Sequence, residues 1–161
     1  IVFDCVYILQ HCYMHLFESG IGLRQFMDYF FVLKALSKSP DPTNPAQRIK
    51  GVSAEEFRSL VKRFGMERFA RGVMYIMESV FGLERECLLC EPDAKEGEFL
   101  LKEIVQGGNF GKFDDRFKKM SGNGKGQMKY FVKRCRLLVG HYPQDALWML
   151  GYFVGHRVIY R

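Results

Sequence analysis

Hydrophobic positions recur at intervals of three and four almost throughout this chain, the spacing of one face of an α-helix. Phe3, Val6, Tyr7, Gln10, Tyr13, Met14 and Phe17 trace the first such face, and Gly20 and Gly22 interrupt it. Phe26, Tyr29, Phe30, Leu33 and Leu36 line a second helix over 23–36. The run Tyr29-Phe30-Phe31-Val32 would suit a strand by itself. Asp28, Lys34 and the length of the pattern favour helix, so the two segments predict an αα-hairpin with a short glycine turn.

Residues 37–52 carry Pro40, Pro42 and Pro45 and no apolar repeat, which predicts a linker-like loop. Ser53 with Glu56 reads as a capping box and starts a helix expected to stop at Gly65. A further helix is predicted over 66–81, with Phe69, Val73, Ile76, Met77 and Val80 inward and Gly82 as its stop. A short helical continuation over 83–90 ends at Pro92, and 96–106 predicts the next helix, with Phe99, Leu100, Ile104 and Val105 apolar. A basic Gly-rich loop region is expected near residues 107–126, pinned by Phe110, Phe113 and Phe117. A basic amphipathic helix over 127–141 follows, then a break at Tyr142 and Pro143, then a last helix over 144–160. Trp148 and His156 read as packing residues. The expected fold is all-α, an irregular bundle of six to eight helices in one domain over 1–161.

Composition adjusts this picture in three ways. With 161 residues, 48% hydrophobic and 26% charged, the chain can build its own core without disulfides. It has no uncharged apolar stretch long enough to cross a membrane, and a cytoplasmic address is expected. The five cysteines are an odd set, unlike a secreted disulfide scaffold. Cys87 and Cys90 form a single C-x-x-C in a Leu-rich run, which reads as buried apolar thiols rather than half a zinc site. Of the net charge of +6, residues 112–136 contribute nine basic and two acidic side chains. That stretch reads as a solvated helix face or as a patch for phosphate or nucleic acid.

Chemistry concentrates at the hairpin. His11 and His15 are four apart and share a helix side, Glu18 lies one turn further, and Arg24, Gln25 and Asp28 begin the next helix. Such groups are costly to bury unpaired. Two readings stay open: a satisfied network in which Asp28 fixes Arg24 or a histidine, and a cleft wall against a polar or phosphorylated ligand. HxxxH spacing is compatible with zinc. H-E-x-x-H is absent and no cysteine obviously converges, so no metal ligand is assigned. The segment 107–111 is a tight turn or an anion-binding nest, with Gly108, Asn109, Lys112 and Arg116 as candidate phosphate contacts. Asp114 and Asp115 are adjacent, and neighbours do not face one way on a regular element, so they make a poor metal pair. No catalytic constellation is complete, and no catalytic residue is assigned.

The run 11–29, HCYMHLFESGIGLRQFMDY, resembles a family of nucleotidyltransferase-like proteins common in Bacteroides and relatives, of the polymerase-β-like superfamily. So do Gly97-Glu98-Phe99-Leu100-Leu101, the run 106–111 and Tyr142-Pro143. The resemblance spans nearly the whole chain and implies a two-part protein. An N-terminal α/β domain would carry the metal-binding aspartates, with Mg²⁺ and an NTP, and this chain would be the C-terminal helical part. The chain begins at Ile1 inside an apolar run, consistent with a fragment. The resemblance implies transfer of a nucleotidyl group to a small-molecule or other acceptor. It places His11, His15, Arg24 and Asp28 nearest the missing domain or its ligand cleft. The alternative is a helical interaction or nucleic-acid-binding module without catalytic activity.

Overall fold

The computed structural model describes residues 2–18, 20–37, 53–107 and 124–159. Those residues form seven α-helices and one 3-10 turn, with no strand among them, so the chain is all-α. The helices are α1 (Val2–Glu18), α2 (Leu23–Ser37), α3 (Ala54–Arg63), α4 (Glu67–Ser79), α5 (Ala94–Gly107), α6 (Gly124–Leu138) and α7 (Pro143–Ile159). The 3-10 turn, Arg85–Cys87, is all that forms of the helical continuation expected over 83–90. The linker reading of 37–52 lies outside the described residues beyond Ser37, which closes α2. The proposed phosphate contacts Gly108, Asn109, Lys112 and Arg116 lie outside them as well, as do the anchoring roles of Phe110, Phe113 and Phe117.

The hairpin forms as its spacing predicts. Gly20 sits at φ 87°, a left-handed conformation that costs glycine little, and its N–H donates to the His15 carbonyl at 2.7 Å. The Gly22 N–H donates to Gln25 Oε1 at 3.2 Å, satisfying one orphan donor where α2 begins. The buried face of α1 differs from the expected one. Cys5, Leu9, Cys12 and Leu16 point inward with Val2, Val6, Tyr13 and Phe17, whereas Phe3 and Tyr7 are 72% and 59% exposed and Met14 is also exposed. The helix is apolar on most of its circumference, so periodicity alone offers two competing stripes.

Tight packing fixes the rest. One connected core runs from Val2 through Phe26, Tyr29, Phe57, Phe69, Met74 and Met77 to Met149. Helix α1 contacts α2, α3 and α6, and α4 lies along α5. That last crossing is unusually close. A Cβ on Gly97 would sit 2.1 Å from Tyr75 Cδ1, and one on Gly72 would sit 2.8 Å from Glu96 Cγ, so side chains at either place would force the helices apart. The Asp93 N–H donates to the Arg71 carbonyl at 3.1 Å, and Asp93 Oδ1 accepts from the Glu96 N–H at 3.1 Å. Asp93 thereby caps α5, which starts two residues before the expected 96.

Other boundaries follow local chemistry. Ser53 Oγ accepts from the Glu56 N–H at 3.2 Å, the N-cap half of a capping box. Helix α3 ends one residue before Phe64 and Gly65, and α4 ends at Ser79 ahead of Gly82. Helix α6 begins at Gly124, three residues before the expected 127. Val80 and Val105, expected inward, are exposed, the latter by 72%. Trp148, read as a packing residue, is 65% exposed on α7, because Ala146 and Met149 carry that helix's inward side. The side chain of His156 lies outside the described part of α7.

The Tyr29 hydroxyl is the least comfortable group in the core. The residue is 1% exposed, and its oxygen has no hydrogen-bond partner among the described residues. Burial, with the neighbouring Cys5, Cys90 and Cys12 sulfurs secondary, pushes the phenol well above its ordinary range. Leaving a buried hydroxyl unpaired costs about 1–3 kcal/mol, so Tyr29→Phe is expected to leave stability unchanged or raise it by about 1 kcal/mol. Urea unfolding monitored by circular dichroism checks this, and a loss above 1 kcal/mol would mean the hydroxyl has a partner.

Candidate functional site

The hairpin carries the candidate residues on its outer side. His11, Arg24 and Asp28 are exposed, and His15 is half-buried at the edge of the same face. The structure brings His11 and His15 together: one turn apart on α1, their Nε2 atoms are 3.1 Å apart and their rings meet edge to face at 88°. One imidazole must donate and the other accept across that contact. Arg24 and Asp28 lie on the solvent side of α2. Among the described residues, no hydrogen bond or ion pair joins them to each other or to the histidines, so the internally satisfied network is not what forms. Asp28 is close enough to Cys12 to add to the burial that raises that thiol to about 12.

Both helices also expose apolar side chains. Phe3, Tyr7 and Met14 from α1 and Leu23, Met27 and Phe31 from α2 are all exposed. Phe3 stacks on Tyr7 with ring centroids 6.2 Å apart. A surface that interleaves large apolar side chains with two imidazoles, a guanidinium and a carboxylate is suited to contact with another surface or a ligand.

A second polar cluster sits deeper, beneath the α6–α7 turn. Glu96 on α5 is 4% exposed. His141 Nδ1–H donates to its Oε2 at 2.7 Å, and the Tyr142 hydroxyl donates to its Oε1. The His141 ring stacks on Phe99 with centroids 3.5 Å apart, and the His141 carbonyl accepts from Arg68 Nη1 at 2.7 Å. Burial first, then the Glu96 charge and hydrogen bond, push the Tyr142 hydroxyl well above the usual phenol range, so it remains a donor. Tyr142 also completes an aromatic group with Tyr13, Phe17 and Phe69, its ring 5.3 Å from that of Tyr13. The Tyr13 hydroxyl is buried, and burial first, then the nearby Asp145 carboxylate, pushes it above the usual phenol range.

Arg134 was hidden within the basic stretch. Its side chain is 4% exposed, and Nε donates to the Leu16 carbonyl at 2.7 Å, one of the last four carbonyls of α1. It is therefore a structural tie, whereas Lys129, Lys133 and Arg136 of the same helix are exposed. Sequence reasoning passed over Glu96, His141 and Arg134 in these roles. The available signal was a charged residue set among apolar neighbours, Arg134 between Phe131, Cys135 and Leu138 above all.

The cysteines offer no reactive centre. All five are buried free thiols. Burial raises Cys5 to about 11 and Cys90 to about 12, the latter despite Arg71 and Arg58 nearby, so these thiols stay protonated and weakly nucleophilic. Among the described residues no group of three or more histidine, cysteine or acidic side chains could hold a metal ion.

Removing the shared acceptor of the deep cluster tests its weight. Glu96→Ala leaves the buried Tyr142 hydroxyl and the half-buried His141 imidazole without their acceptor and is expected to lower stability by about 2–3 kcal/mol. Chemical denaturation of the variant beside the parent chain reads this directly, and a change under 1 kcal/mol would show that water replaces the carboxylate. Comparison of the chain with protein-family models, curated proteins and solved structures gave no match.

Proposed function

We propose that this chain is the helical, substrate-side part of a nucleotidyltransferase whose catalytic carboxylates lie outside it. The observation that carries the reading is the outward face of the hairpin, where His11, His15, Arg24 and Asp28 stand among exposed Phe3, Tyr7, Met14, Leu23, Met27 and Phe31. The resemblance of residues 11–29 to nucleotidyltransferase-like proteins supports it, since that run contains His11, His15, Arg24 and Asp28.

In this reading the carboxylates that hold Mg²⁺ lie in the other part of the protein, and metal-assisted attack of an acceptor hydroxyl on the α-phosphate, with release of pyrophosphate, belongs there. This chain's share is positioning. Arg24, exposed and without an ion pair among the described residues, orients a phosphate or a carboxylate at the domain boundary. The imidazoles of His11 and His15 hydrogen-bond the acceptor or the nucleotide, and the apolar rim excludes water from the contact.

A second reading rests on a different observation. Lys129, Lys133 and Arg136 are exposed at spacings of four and three, one basic face of α6 suited to a polyanion. In that reading the chain is a nucleic-acid-binding module without catalytic activity.

Two measurements separate the readings. In a full-length protein that carries the N-terminal part, Arg24→Ala is expected to reduce nucleotidyl transfer about tenfold to a hundredfold, the loss of one charge-assisted hydrogen bond, with the helical content intact. Unchanged transfer and nucleotide affinity would remove the positioning role. Binding of the chain to single-stranded RNA, followed by fluorescence anisotropy, is expected to be absent at low salt if the first reading holds. Affinity that falls steeply and log-linearly as salt rises would favour the second.

A further inference from the structure

The contact between His11 and His15 has a geometry that matters beyond hydrogen bonding. The two side chains leave the same side of α1 one turn apart, and it is the Nε2 atoms that converge, at 3.1 Å. Two imidazole nitrogens bound to one zinc-class ion at ~2.0–2.1 Å, with a near-tetrahedral angle between them, lie roughly 3.3–3.4 Å apart. The pair on this one helix stands a few tenths of an ångström inside that separation, a gap that small side-chain rotations close, and the rings are inclined at 88° with centroids 4.5 Å apart. No rearrangement of the fold is needed to seat an ion between them.

We propose that His11 and His15 form a two-imidazole chelating site for a divalent zinc-class cation on the exposed face of the hairpin. The ion takes the place of the one proton shared between the two Nε2 atoms. Each nitrogen then offers its lone pair, and the displaced proton leaves to solvent. Two of the four positions of a tetrahedral ion remain open, to water or to an anionic oxygen of a ligand lying on this face. Imidazole donors select borderline ions such as Zn²⁺, Ni²⁺ or Cu²⁺. Mg²⁺, which takes oxygen ligands, is not a competitor. The site therefore stands apart from the ion required for nucleotidyl transfer, and the inference holds whether or not the proposed function does.

The test uses the chain as it is, freed of metal with a chelator and titrated with Zn²⁺ in a calorimeter. One ion is expected to bind per chain, with a rise in thermal midpoint and a shift of two histidine Hε1 resonances. His11→Ala and His15→Ala are each expected to weaken binding at least tenfold and to abolish the rise in midpoint. His11 is exposed and His15 only half-buried, so circular dichroism of the variants should match the parent. His156→Ala and His141→Ala should leave one strong site, and Mg²⁺ at millimolar concentration should not displace Zn²⁺. Absence of one-to-one binding at 100 µM Zn²⁺, or binding that survives loss of both His11 and His15, would overturn the proposal.

Discussion

The contact on which the other packing decisions depend is the approach of α4 to α5. Gly97 presents bare backbone to the ring of Tyr75, and Gly72 presents bare backbone to the stem of Glu96. Without side chains at these two positions the helices close to a distance that seals Glu96 away from water. A carboxylate in that position must find donors. The α6–α7 turn supplies them, with the Tyr142 hydroxyl on one oxygen and His141 on the other. Once Tyr142 is anchored there, its ring meets Tyr13, Phe17 and Phe69, and α1 is joined to α4 and to the start of α7. A steric allowance of two glycines thus fixes the seating of elements far apart in the chain.

Local features of the fold were legible in the sequence for local reasons. The glycine turn after Phe17, the N-cap at Ser53 and the left-handed glycine beyond α4 each depend on residues within about one turn of one another, and each is present. The buried state of Cys87 and Cys90 followed from their Leu-rich surroundings. What the sequence concealed was long-range. Whether Phe3–Tyr7 or Cys5–Leu9 faces inward cannot be settled on a helix that is apolar almost all round, because only the partner helices choose. The pairing of Glu96 with His141 and Tyr142 spans 45 residues or more, and that of Arg134 with Leu16 spans 118. Neither has any periodic signature.

The candidate site divides in the same way. That His11 and His15 share one helix side was readable from their spacing. That their Nε2 atoms, rather than Nδ1, converge depends on rotamers that spacing does not fix. Of the two readings left open, the linkage of Arg24 or the histidines to Asp28 is not formed among the described residues, since α2 turns Arg24 and Asp28 to solvent. The hairpin consequently offers separate polar groups on an apolar ground, and its chemistry is directed outward. The deep cluster has the opposite character, with its polar atoms directed at one another.

The aromatic group of Tyr13, Phe17, Phe69 and Tyr142 has an optical corollary. The chain has a single tryptophan, Trp148, and it stands 65% exposed on α7, while Tyr13 and Tyr142 are immobilised in asymmetric, apolar surroundings. Indole emission therefore senses the periphery, and the tyrosine bands of the near-ultraviolet dichroism sense the interior. A melt followed through the first signal can lag or precede one followed through the second, and any gap between the two curves would measure how tightly α7 is coupled to the helices beneath it.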